Sequence, residues 1–153
     1  MKYVEGNLIT MAKEGKFDVI AHGCNIHHVM GAGIALQIAH EFPEMLEADL
    51  RTPCHDLRKL GCLSWEFVSS TPNVFIGVNL YTQILGDPNG KNLRMDALEK
   101  AFMQLYIEYG WSDELKIGIP QIGAGLAGGD WKEIESVIDS FGFKDLTCVI
   151  YKP

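Results

Sequence analysis

The chain has 153 residues, the size of one domain that can bury a core without disulfide or metal staples. Its 47% hydrophobic and 22% charged residues are ordinary for a soluble globular protein. The net charge of −7 and pI near 5.1 argue against broad electrostatic binding to nucleic acid, which needs a basic face.

In chain order, residues 1–4 read as a short strand running into Gly6-Asn7-Leu8-Ile9-Thr10. The apolar run 17–22 (FDVIAH) has strand length and ends abruptly at Gly23. From Gly31 the spacing is helical, with Ile34, Ile38 and Phe42 on one face, and Pro43 should end or kink that helix before a continuation through Met45, Leu46 and Leu50. Two strands, 62–69 and 73–82, flank the turn at Thr71-Pro72-Asn73. A loop over 84–92 leads to a helix from Leu93 to Tyr109, whose apolar face is Leu98, Phe102, Leu105 and Tyr109. A short strand at 115–120 enters a glycine loop, Gln121 to Gly129. Asp130 then reads as the N-cap, with Glu133 three residues on, of a helix reaching Ser140, and 146–151 closes the chain as a buried strand. Alternating strands and helices without repeat or linker predict one α/β domain over 1–153, with helices on both faces of a mixed sheet.

No apolar run nears the roughly 18 to 20 residues that span a bilayer, and the N-terminus shows no secretory h-region. The four cysteines (Cys24, Cys54, Cys62, Cys148) have no CxxC spacing, so reduced thiols in a cytoplasmic setting are expected, with no metal. His22, His27 and His28 lie close in sequence, but no Asp, Glu or Cys at ligand spacing joins them.

In open α/β sheets ligands gather at the loops leaving the carboxyl ends of strands. Three such loops carry unusual residues. In the first, Asn7 offers an acceptor and a donor that can read a base edge; the alternative is an ordinary Gly-Asn turn. In the second, residues 23–35, Gly31 and Gly33 open a helix whose free N–H groups favour phosphate, unless they only tighten the turn. In the third, Gly123, Gly125 and Gly128 spell GxGxxG between a strand and a helix. A dinucleotide fold does not follow, because only 25 residues remain after Gly128, too few for the further βα units. The loop can still wrap a phosphate with main-chain N–H groups. Two glycine loops of this kind suit a diphosphate clamped from both sides without cationic side chains.

On these segments the chain resembles the macrodomain family. GNLIT, VIAHGCNIHHVMGAGIA and IPQIGAGLAGGDW follow the family's order and spacing over nearly the whole chain. The resemblance is closest to the branch of ADP-ribose 1″-phosphate phosphatases and TARG1-like (ALC1-type) hydrolases. It implies a three-layer α/β/α macrodomain with a central mixed sheet that binds ADP-ribose or ADP-ribose 1″-phosphate, and no cofactor. By position, Gly6, Asn7 and Leu8 would meet the adenine side, with Asn7 on the base. Asn25 would face the distal ribose, with Gly23 and Cys24 beside it as ligand-binding residues. Met30, Gly31, Ala32, Gly33, Ile34 and Ala35 would line one side of the diphosphate. Ile122, Gly123, Ala124, Gly125, Leu126, Ala127 and Gly128 would line the other.

The departures bear on chemistry. Where TARG1-like enzymes carry a lysine and an aspartate, this chain has Gln83 and Ala127, and where MacroD-like hydrolases have an acidic residue it has Ile34-Ala35-Leu36. The leading expectation is therefore a phosphatase, with His22 and Asn25 as first candidates for catalysis and Asp87 behind them. The alternatives are release of ADP-ribose from a modified protein or nucleic acid, and a reader without turnover. For each histidine the competing reading is a packed strand residue (His22) or a solvated loop residue (His27, His28). Arg51, Arg58 and Lys59 read as solvated surface rather than a nucleic-acid patch, and a monomer without membrane attachment is expected.

Overall fold

In the computed structural model, which describes residues Met1–Pro153, six strands form one mixed sheet in the order β1-β6-β5-β2-β4-β3. The strands are β1 (Lys2–Gly6), β2 (Val19–Asn25), β3 (Leu63–Ser70), β4 (Asn73–Gln83), β5 (Ile117–Ile119) and β6 (Leu146–Tyr151). All neighbours pair in parallel except β3 with β4, the hairpin turned at Thr71-Pro72.

Side-chain alternation along β2 sorts the core into two layers. Val19 and Ala21 join Leu98, Phe102 and Leu105 of α4 (Met95–Leu105) and Ile134 and Ile138 of α5 (Trp131–Asp139). On the other face Ile20 meets α1 (Leu8–Lys13), α2 (Gly33–Glu41) and α3 (Pro43–Leu50), through Leu8, Ile9, Ile38, Phe42 and Met45. The result is the expected three-layer α/β/α arrangement. Pro43 acts as predicted, ending α2 and opening α3 at a position where its missing N–H costs nothing. No helix is long and apolar enough to cross a membrane.

Two expectations need correction. GNLIT is not a loop: Leu8–Lys13 is a helix, with Asn7 as its N-cap accepting from the Thr10 N–H at 3.2 Å. A six-residue helix has too little propensity to announce itself, and burial of Leu8, Ile9 and Ala12 stabilises it. Asn7→Ala should therefore lower stability by about 1 kcal/mol, readable as a shifted urea midpoint. The helix predicted from Leu93 starts instead at Met95, because Leu93 bridges to Gln83, and it ends in a π-helical turn, Tyr106–Gly110.

The open edge of β3 is guarded. Two of its outward amides meet carboxylates: the Phe67 N–H donates to Glu66 Oε1 (2.9 Å) and the Ser69 N–H to Glu44 Oε2 (3.3 Å). Such capping disfavours pairing with another strand at those two positions.

Candidate functional site

The carboxyl ends of β2, β4 and β5 open into a cleft of about 500 Å³. Its floor is Gly23, Cys24 and Asn25; one wall is Gly31–Ala35, and the other is Pro120–Gly123 with Gly125–Ala127. A smaller cavity of about 340 Å³ shares Gly33, Ile34 and Pro120 with it and adds Leu8, Gln37, Val149 and Tyr151. The two glycine loops thus face each other, as the sequence predicted.

Both walls present unpaired main-chain amides. The first bond of α2 runs from the Leu36 N–H to Ala32 O, which leaves the amides of Gly33, Ile34 and Ala35 ahead of it. In the late loop the N–H groups of Ala124, Gly128 and Gly129 bond to loop carbonyls, while those of Gly123, Gly125, Leu126 and Ala127 have no protein acceptor. Two of the glycines of GxGxxG have different jobs. Gly128, at φ +76°, sits so close to Gly90 that a Cβ would lie 2.5 Å from its carbonyl oxygen, so it closes the late loop onto the 84–92 loop. Gly125 meets no atom within 4 Å at that position.

No Asp, Glu, Lys, Arg or His side chain lines the larger cleft; its polar side chains are the amides Asn25, Gln83, Asn92 and Gln121, and Cys24. Gln83 ends β4 and Gln121 follows β5, so the strand-end rule pointed to both. Asn92 and Leu85 come from the 84–92 loop, for which the sequence held no such signal.

Asn25 is where the sequence placed it, but its side chain is committed to the loop. Its Nδ2 donates to Val29 O (2.7 Å), and its Oδ1 accepts from the His27 N–H (2.8 Å). His22 does not reach the cleft. It is wholly buried beneath the floor, on the α3 side of β2. Its Nε2–H donates to Asn79 Oδ1 (2.6 Å), since the Asn79 amide nitrogen donates to Met45 O (2.9 Å) and Ser64 Oγ (3.1 Å). Cys24 Sγ lies 3.4 Å from that Nε2 and 3.9 Å from Nδ1. Burial takes the His22 pKa down to about 4, although the Asn79 bond and the nearby Asp49 carboxylate oppose this. The reading of His22 as a packed strand residue is the one its surroundings support.

Asp87 also lies outside the cleft lining. Its carboxylate accepts from the Asn89 and Lys91 N–H groups (2.9 and 3.0 Å), which hold its pKa below the usual range and tie its own loop. Met30, Ala124, Gly128, Gly6 and Asn7 likewise line neither cavity, and Leu8 lines only the smaller one. Met30 is buried in the α2-side core and Gly128 supports the loop.

His27 and His28 are not merely solvated. The Leu85 N–H donates to His27 Nε2 (3.1 Å), so His27 Nδ1 carries the proton toward His55 Nδ1 at 2.5 Å, and His28 Nε2 donates to Thr52 O (2.7 Å). These contacts clasp the 25–32 loop to its neighbours. Lys59, expected at the surface, is 5% exposed, with Nζ 4.0 Å from Asp49 Oδ1 and 4.3 Å from the centre of the Tyr81 ring. Tyr81 OH also donates to Asp49 Oδ1 at 2.8 Å, so a buried charge pair underlies the floor. Spacing on a polar segment gave no sign of this.

No protein-family model matches the chain. An uncharacterized 17.5 kDa protein of Enterobacteria phage T4, from the tk-vs intergenic region, is 38% identical over 158 aligned positions, covering 100% of this chain and 97% of its own length. A Candida albicans protein named ADP-ribose 1″-phosphate phosphatase is 28% identical, covering 92% of this chain and 93% of its own. Among solved structures, the macrodomain of Thermus aquaticus DarG superposes with a TM-score of 0.70 at 22% identity, over 99% of this chain and 97% of that one. Thermosipho africanus DarTG in complex with ADP-ribose gives 0.71 at 15% identity, over 98% of this chain and 41% of that one. The chain therefore belongs to one family with the phage T4 protein, and its fold is that of a macrodomain.

Proposed function

We propose that this chain binds ADP-ribose, with the diphosphate between the start of α2 and the late glycine loop, and that it hydrolyses ADP-ribose 1″-phosphate to ADP-ribose and phosphate. One observation carries the binding: two sets of unpaired amides converge on a single cleft whose lining holds no charged side chain. An anion there meets oriented N–H dipoles and no carboxylate that would repel it. The ADP-ribose held by the Thermosipho fold neighbour and the name of the Candida relative support the ligand class and the reaction.

Hydrolysis at such a site relies on positioning. Backbone amides hold the 1″-phosphate, and the neutral amides of Gln83, Asn92 and Gln121 are the side chains available to orient water. Water attacks phosphorus, the ribose oxygen leaves, and the proton of the attacking water passes to a phosphate or ribose oxygen of the substrate itself. Asn25 acts by shaping the 25–29 loop, and His22 from beneath through Cys24. The neutral lining also favours a second reading, a reader that binds ADP-ribose without turnover.

Calorimetry with ADP-ribose beside phosphate release from ADP-ribose 1″-phosphate separates the two. Binding with release is the expected result, and binding with a flat release curve selects the reader. No heat with either nucleotide overturns both. Asn25→Ala should lower kcat/KM by roughly tenfold or more through loss of positioning. If release is undiminished in Asn25→Ala and His22→Ala, neither residue takes part in the chemistry.

A further inference from the structure

The smaller cavity is built differently from the cleft it joins. Gly33, Ile34 and Pro120, which line both, mark the junction, and Leu8, Gln37, Val149 and Tyr151 form the far end. Tyr151 ends β6 with its side chain 62% exposed, outside both core layers. Apolar walls with one or two polar groups suit a flat heterocycle, since the walls supply contact area and the polar groups supply specificity. This inference rests on the ADP-ribose reading proposed above. With the diphosphate held at the start of α2, the base is the part of the ligand that reaches this cavity. Asn7, expected on the base, is not placed to read it there: it lines neither cavity, and its Oδ1 caps α1.

In a purine the N1–C6 edge lies at the opposite end of the bicycle from N9, which carries the ribose. With the ribose at the junction, that edge turns toward the far end, where the polar side chains are Gln37 and Tyr151. Adenine presents an acceptor at N1 and a donor at C6, whereas hypoxanthine presents a donor at N1 and an acceptor at C6. A carboxamide carries one donor and one acceptor side, and turning it over exchanges them. Its terminal torsion is broad and roughly twofold, so both settings are open unless a partner fixes one. Gln37 is exposed on α2, and no group of the protein bonds its amide. The Tyr151 hydroxyl likewise donates or accepts as required. Rejecting one purine would take a fixed group that the wrong edge leaves unpaired, and no carboxylate lines the cavity to refuse a 6-oxo group. We propose that Gln37 reads the base of the nucleotide, and that the site binds 6-oxo and 6-amino purines alike. The ligand class is then a purine nucleoside diphosphate ribose rather than the adenine compound alone.

The test is calorimetry of the full chain with three ligands: ADP-ribose, its inosine counterpart, and the counterpart whose purine carries only hydrogen at C6. The first two should bind within about threefold of each other, and the third about fivefold more weakly, the worth of one hydrogen bond. Gln37→Ala, at an exposed helix position, should bind all three equally. Its affinity should be about tenfold below that of the unaltered chain for ADP-ribose. An inosine counterpart more than about tenfold weaker than ADP-ribose overturns the proposal, because a fixed group would then be reading the edge. So does a Gln37→Ala chain that still ranks the three ligands as the unaltered chain does, because the base would then lie elsewhere. In both of those failures ADP-ribose itself still binds. If ADP-ribose gives no heat, the ADP-ribose reading falls and this inference with it.

Discussion

Gly125→Glu should weaken ADP-ribose binding by roughly 100-fold or more while the fold keeps its stability. The two halves of that expectation have separate causes. Gly125 does not occupy the left-handed region, and a Cβ there meets no protein atom within 4 Å, so a side chain costs the folded state little. Yet Gly125 lines the cleft beside the unpaired amides of Leu126 and Ala127. A carboxylate about 4 to 5 Å from a bound diphosphate is repelled by roughly 3 to 4 kcal/mol at the effective dielectric of a protein surface, and each 1.4 kcal/mol is a factor of about ten. Calorimetry and thermal melting on one preparation check both halves. Unimpaired binding would show that the late loop does not hold the phosphates. A matching change at Gly128 is a poorer probe, because the Gly90 carbonyl fills its space and misfolding would imitate lost binding.

The second large effect is a loss of stability on mild acidification, traced to His22. In the unfolded chain His22 binds a proton below about pH 6.5, whereas in the folded protein it stays neutral until about pH 4. Between those values the unfolded state holds more protons, so stability is complete above pH 6.5 and declines as pH falls toward 4. The full loss is about 3 kcal/mol. His27, whose pKa is lowered by partial burial and then by His55, acts in the same direction. The lowered carboxylates Glu41, Asp56 and Asp87 start below the ordinary carboxylate range and act at more acid pH. Urea midpoints measured from pH 5 upward should therefore rise to a plateau near neutrality, and His22→Gln should flatten most of the slope even though it lowers stability overall. An unchanged slope in His22→Gln would assign the titration elsewhere.

The same residue shows how sequence and structure divided the evidence. A histidine at the end of an apolar strand, three residues before an asparagine and next to a glycine loop, reads equally as a base and as a packed side chain. The register of β2 against β4 decides, because it sets His22 opposite Asn79, and Asn79 is held by the Met45 carbonyl of α3 and by Ser64 of β3. None of these partners lies within 20 positions of His22 in the chain. Lys59 is a parallel case. It stands in a polar segment, and only the approach of α3 and β4 supplies the Asp49 carboxylate and Tyr81 ring that make its burial tolerable.

Local chemistry by itself determined most of the strand, helix and turn pattern, the break at Pro43, the three-layer class and the two glycine loops that follow strands. Each of these is a property of a few neighbouring residues: side-chain periodicity, a fixed φ, or a missing Cβ beside free amides. Tertiary structure decided that the loops face one neutral cleft, that Asn7 caps a helix, and that Asp87 ties its own loop. Those outcomes depend on which strand lies beside which and on what each buried polar atom finds there, and such pairings follow from packing the whole chain at once.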